Sequence, residues 1–106
     1  MEHPPVRHVL ICRFRPGTTD ELIEAVFTEF RGLCRKIKGI VSFEYGEKNS
    51  AEGRNHGMTH VIMLTFANAQ ARDAYLPHAE HRKFAEWLGT LGILEDLLVI
   101  DYTPQS

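Results

Sequence analysis

The sequence lacks most features that would take it out of an ordinary aqueous compartment. No apolar run approaches the ~18 residues of a bilayer-spanning helix, so no membrane is expected as a partner. The opening residues, MEHPPVRH, do not have the basic-then-apolar layout of a signal peptide. Cysteine is scarce. Cys12 and Cys34 are too few for a disulfide framework and are expected to be reduced and buried, which points to the cytoplasm. Basic residues are not in excess: 12 Lys and Arg face 14 Asp and Glu, for a net charge of -2. Without a basic run, nucleic acid is not an expected partner. There is no repeat, low-complexity tract or linker, and 106 residues make one domain.

What is present is an alternation of strand-like and helix-like segments. RHVLICRFR (7–15) is apolar on both faces and stops at Pro16-Gly17. His8, Leu10, Cys12 and Phe14 share one face, and Val9 and Ile11 the other. The next segment, TTDELIEAVFTEFRGLCRKIKG, predicts a helix. Thr18 and Glu21 fit a capping box. Leu22, Ile23, Val26, Phe27, Phe30, Leu33, Cys34 and Ile37 form a 3/4-spaced stripe, basic residues fill the last turn, and Gly39 stops the helix. IVSFEYGEKN predicts a second strand and MTHVIMLTF (58–66) a third, with His60, Ile62, Leu64 and Phe66 on one face. NAQARDAYL predicts a short helix capped by Asn68, broken at Pro77 from a second helical piece, HAEHRKFAEWLGTLG. ILEDLLVIDY predicts the last strand. The order βαββαβ predicts an α+β, ferredoxin-like sandwich with helices on one face of an antiparallel sheet. Val9, Ile11, Val61, Met63 and part of the last strand then form an uncovered apolar face, which predicts a homodimer joined through that face.

Six histidines are many for this length. His3 and His56 fall in a terminus and a polar loop, where solvation accounts for them. His8 and His60 lie on strand faces shared with large apolar residues. His81 precedes Phe84, Ala85 and Leu88 at helical spacing, and Tyr75, Pro77 and His78 lie just before it. Three readings of this group stand side by side. The imidazoles can be buried polar groups satisfied by backbone or by one another. HAEH can supply an i, i+3 metal pair, although no dedicated zinc signature such as HExxH is present and no metal is expected. Or a partly desolvated His beside a Tyr can move protons near neutral pH, the hydroxyl donating to a developing enolate oxygen. Cys12 falls mid-strand and Cys34 mid-stripe, so neither reads as a nucleophile.

RHVLICRFRPG, GMTHVIMLTF, AYLPHAEHRKF and VIDYTP occur in an order and spacing that resemble the stress-responsive A/B barrel (Dabb) family, over about residues 6 to 104. The resemblance implies a ferredoxin-like fold and a dimeric α/β barrel. The family includes a plant polyketide cyclase that closes a ring by aldol condensation without a cofactor. That membership implies Tyr75 and His81 for the chemistry and His8 and His60 as lining, with His78 nearby. The pocket walls implied are Leu10, Phe27, Phe30, Ile62, Phe84, Trp87 and Leu88. Three functions are therefore carried forward: a dimer whose pocket holds a small apolar or aromatic molecule, a cofactor-independent cyclase or lyase, and a cofactor-independent oxygenase of the dimeric-barrel type.

Overall fold

A computed structural model describes residues 3–106. It contains β1 (Val6–Phe14), α1 (Asp20–Lys36), β2 (Ile40–Glu47), β3 (His60–Phe66), α2 (Ala69–Tyr75), α3 (Ala79–Leu91) and β4 (Leu94–Tyr102). The four strands form one antiparallel sheet in the order β2-β3-β1-β4. With the helices on one side, this is the split-βαβ, ferredoxin-like arrangement.

Helix α1 forms because its apolar stripe has somewhere to go. Val26, Phe27, Phe30, Leu33 and Cys34 are buried against the sheet. Its cap is Thr19, not Thr18: the Thr19 hydroxyl accepts from the Leu22 N–H at 3.2 Å. The Thr18 hydroxyl is occupied one residue earlier, donating to the Arg15 carbonyl at 2.6 Å within the Pro16-Gly17 turn. The cap expected at Thr18 is thus displaced by one residue, and with Leu22 three residues on from Thr19 the capping box expected of Thr18 and Glu21 does not form. The helix ends at Lys36 and turns through Gly39, whose φ of +96° favours glycine. A Cβ there would stand 2.7 Å from the Ala71 Cβ, so this turn also fixes how closely α2 approaches. Asn68 caps α2, as its side-chain carbonyl accepts from the Ala71 N–H at 2.8 Å. The third strand starts at His60, two residues after the expected Met58, because Met58 and Thr59 still bond to the preceding loop and to Cys12.

The core lies between sheet and helices, with Phe27, Leu64, Phe66 and Tyr75 its largest fully buried side chains. Strand β4 is an edge strand with an unusual exposure. Its cross-strand partners place Leu97, Val99 and Asp101 on the helix side, opposite Cys12, Leu10 and His8. Leu98 and Ile100 face the other way, opposite Ile11 and Val9. Yet Leu97 and Val99 remain 43% and 47% exposed, so the helices leave the inner face of β4 uncovered. On the outer face Val61, Leu98, Ile100 and Tyr102 are also exposed. None of the described helices is long and apolar enough to cross a membrane.

Candidate functional site

The uncovered inner face of β4 is one wall of a cavity of about 420 Å³ beneath α3. Its apolar surface comes largely from Leu10, Phe27, Phe30, Ile62, Phe84 and Leu88. Exposed Leu76, Leu97 and Val99 also line it. The polar side chains on this wall are His8, Tyr75 and His81. Their rings are close together: Tyr75 and His81 lie 4.4 Å apart between centroids, and His8 and Tyr75 5.6 Å apart edge to face.

Hydrogen bonding defines what each group offers. His81 Nδ1 lies 3.1 Å from the Leu76 carbonyl, which can only accept. The proton is therefore on Nδ1, and neutral His81 presents a lone pair at Nε2. His8 Nδ1 lies 2.6 Å from Asp101 Oδ1, again an acceptor, so His8 also presents Nε2. Among the described residues neither His8 Nε2 nor the Tyr75 hydroxyl has a protein partner. No fully enclosed side-chain nitrogen or oxygen there lacks one, so both atoms retain accessible surface, on residues that line the cavity.

Burial tunes the same groups. It lowers the His81 pKa below the usual imidazole value of 6.5, opposed by the Leu76 carbonyl and reinforced by the repulsion that protonated His8 or His78 would exert. The position of His81 in the first turn of α3, at the positive end of the helix dipole, acts in the same direction. Burial raises the Tyr75 hydroxyl well above the usual range, with Cys34 adding to the effect. Tyr75 is thus a donor at neutral pH and His81 a neutral base. Burial also pushes the Cys12 and Cys34 thiols up to about 11 and about 12, which keeps both as inert core residues.

Three residues expected at this site lie elsewhere. His60 pairs with Cys12 across the sheet, four positions along β1 from His8. It opens instead onto a separate cleft beside the β1–α1 turn, bonded through Nδ1 to the Thr59 hydroxyl at 2.8 Å. Phe14 and Phe27 line both spaces and stand between them. His78 caps α3, its Nδ1 accepting from the Glu80 N–H at 3.0 Å. Trp87 packs against Phe84 in the groove between α1 and α3. Six residues past His81, it is turned about 120° around the helix from the cavity. Conversely, Asp101 and Arg72 belong to the site's surroundings: Arg72 Nη1 donates to Asp101 Oδ2 at 3.1 Å. Asp101 lies in the quoted VIDYTP stretch, but its partnership with His8 becomes visible only with the β1–β4 register. No group of three or more His, Cys, Asp or Glu among the described residues is arranged to hold a metal ion.

Comparison with known proteins follows the same lines. The Stress responsive A/B Barrel Domain family matches residues 6–104. The chain is 36% identical over 102 residues to the stress-response A/B barrel domain-containing protein HS1 of Arabidopsis thaliana, covering 96% of this chain and 92% of that protein. It is 25% identical over 101 residues to the olivetolic acid cyclase of Cannabis sativa, covering 95% and 98%. Among solved structures, Arabidopsis thaliana At3g17210 superposes with a TM-score of 0.88 at 36% identity, covering 95% and 96% of the two chains. A Thermobifida fusca protein described as dimeric and ferredoxin-like superposes at 0.78 and 17% identity, covering 98% and 94%.

Proposed function

This chain belongs to the stress responsive A/B barrel family, and on that premise we propose that the cavity beneath α3 takes a small apolar or aromatic molecule bearing an acidic C–H or O–H group, and moves a proton on it without a cofactor. One observation carries the reading: a single hydroxyl-bearing side chain, Tyr75, packs its ring 4.4 Å from that of His81 and 5.6 Å from that of His8 on an otherwise apolar wall. The volume of about 420 Å³ is that of a small-molecule site. In the proposed step His81 Nε2 takes the proton from the substrate carbon or hydroxyl. The electron pair left behind delocalises onto a conjugated oxygen, and the Tyr75 O–H donates to that oxygen. The likeness to olivetolic acid cyclase favours one such reaction, aldol-type ring closure of a linear polyketo chain.

A phenolic probe tests the reading before a substrate is known. Titration with para-nitrophenol is expected to saturate, and the bound probe is expected to lose its proton at a lower pH than the free one. Ala85 lines the cavity, so Ala85→Trp should abolish both effects. Binding that is unsaturable, or unchanged in the Trp variant, removes the cavity reading.

The second part of the proposal is a homodimer joined through the outer sheet face, forming the two-sheet barrel. It is supported by the exposed Val61, Leu98, Ile100 and Tyr102 and by the dimeric Thermobifida protein of the same fold. Val61→Lys places a charge in that face and is expected to weaken the dimer at least about 100-fold, since an unpaired buried charge costs several kcal/mol. Sedimentation velocity at micromolar protein checks it; a wild-type chain that sediments as a monomer ends the proposal.

A further inference from the structure

Asp101 stands directly across from His8 in the β1–β4 ladder, and each of its carboxylate oxygens has a different partner. Oδ1 accepts from His8 Nδ1 at 2.6 Å, and Oδ2 accepts from Arg72 Nη1 at 3.1 Å. Arg72 is itself steadied by Asp73, to which its Nε donates at 2.7 Å. A carboxylate held at both oxygens cannot rotate without losing one bond. Held at only one, on an edge strand with its side chain a quarter exposed, it is open to competition from water.

We propose that Arg72 is a positioning residue for this site: by anchoring Asp101 it fixes His8 as the Nδ1–H tautomer and so keeps His8 Nε2 an acceptor facing the cavity. The inference rests on the cavity reading given above. Which imidazole nitrogen carries the proton is set by the bond the other ring atom makes. With Asp101 displaced, His8 is free to place its proton on Nε2, and the cavity wall changes from one donor and two acceptors to two donors and one acceptor. A ligand matched to the first pattern then meets an unpaired donor. Arg72 also lies three residues before Tyr75 on α2, so one short helix fixes both the hydroxyl donor and, through Asp101, the polarity of the imidazole beside it.

The test reads the tautomer itself. Long-range ¹H–¹⁵N correlation spectra of the neutral imidazoles are recorded for the wild type, Arg72→Ala, Arg72→Lys and Asp73→Asn. His8 is expected as the pure Nδ1–H form in the wild type and in Asp73→Asn, as a mixture in Arg72→Ala, and largely restored in Arg72→Lys. Para-nitrophenol affinity should fall about fivefold to tenfold in Arg72→Ala and recover in Arg72→Lys. A pure Nδ1–H form in a folded Arg72→Ala protein overturns the inference, as does a loss of affinity without a change of tautomer. A tautomer shift in a protein that never binds the probe upholds the action of Arg72 on His8 and removes the cavity reading instead.

Discussion

His81→Gln should cut cyclisation of a linear polyketo acid by about 10²- to 10⁴-fold, the usual contribution of a positioned general base, while the thermal midpoint stays within a few degrees of wild type. The stability expectation follows from the surroundings of the ring. His81 is only partly buried and makes one bond, to the Leu76 carbonyl, at the exposed start of α3. The chemical expectation follows from its free Nε2 and from the Tyr75 ring, whose centroid lies 4.4 Å from its own. A pH series sharpens the test. Because folding lowers the His81 pKa below 6.5, the neutral base persists under mildly acidic conditions, and activity should decline only below that value. The same shift has a sign in stability. The unfolded chain takes up this proton first. The contribution of His81 is therefore complete above pH 6.5 and lost as the pH falls through its lower folded-state value. His81→Gln should accordingly lose less stability than wild type on mild acidification, as read from paired melts. Turnover that survives in His81→Gln would assign the base to another group.

Phe27→Ala is expected to be the most damaging single truncation, costing ~3–5 kcal/mol. Against the 5–15 kcal/mol that holds a domain of this kind together, that is a large fraction. The ring is 1% exposed. It stacks on Tyr45 at 4.1 Å between centroids, meets Phe14 edge-on at 6.2 Å and lies 5.7 Å from His60. Nothing adjacent can collapse into its place without uncovering β2 or β3. A midpoint lower by at least about 10 °C is expected, with Phe27→Leu much milder. With Phe14, Phe27 also forms the partition between the two spaces on this side of the sheet, so the truncation should thin the wall between His60 and the cavity. A melting midpoint unchanged by Phe27→Ala would mean that the aromatic stack carries little of the core energy.

Periodicity alone was enough for the frame of this molecule. The α1 stripe, the Asn68 cap, the break at Pro77 and the two faces of β1 and β3 are local patterns, and local patterns are written in neighbouring residues. The departures share a different origin. His60 and His8 both lie on inward strand faces, but a face says nothing about level along the strand. Level is set by pairing, and Cys12↔His60 puts His60 near the far end of β1. Trp87 is implied as a pocket wall with Phe84 and Leu88, but its angle around α3 differs from theirs. Asp101 could not be assigned to His8 without the β1–β4 register, which includes a shift at Arg13/Phe14. Thr18 and Thr19 are chemically alike, and only the competing Arg15 carbonyl separates them.

The pairing of β1 with β4 has a consequence for the order in which the molecule comes into being. His8 and Asp101 are 93 residues apart in sequence. During synthesis β1, α1, β2, β3, α2 and α3 are all made before the strand that steadies His8. A nascent chain stalled short of β4 holds Tyr75 and His81 but lacks one cavity wall and the anchor of His8. Competence at this site therefore arrives last and all at once, with the closing strand. Such end-to-end pairing also slows folding, and it makes β4 the segment whose arrival a ribosome-arrest series would detect as a single step.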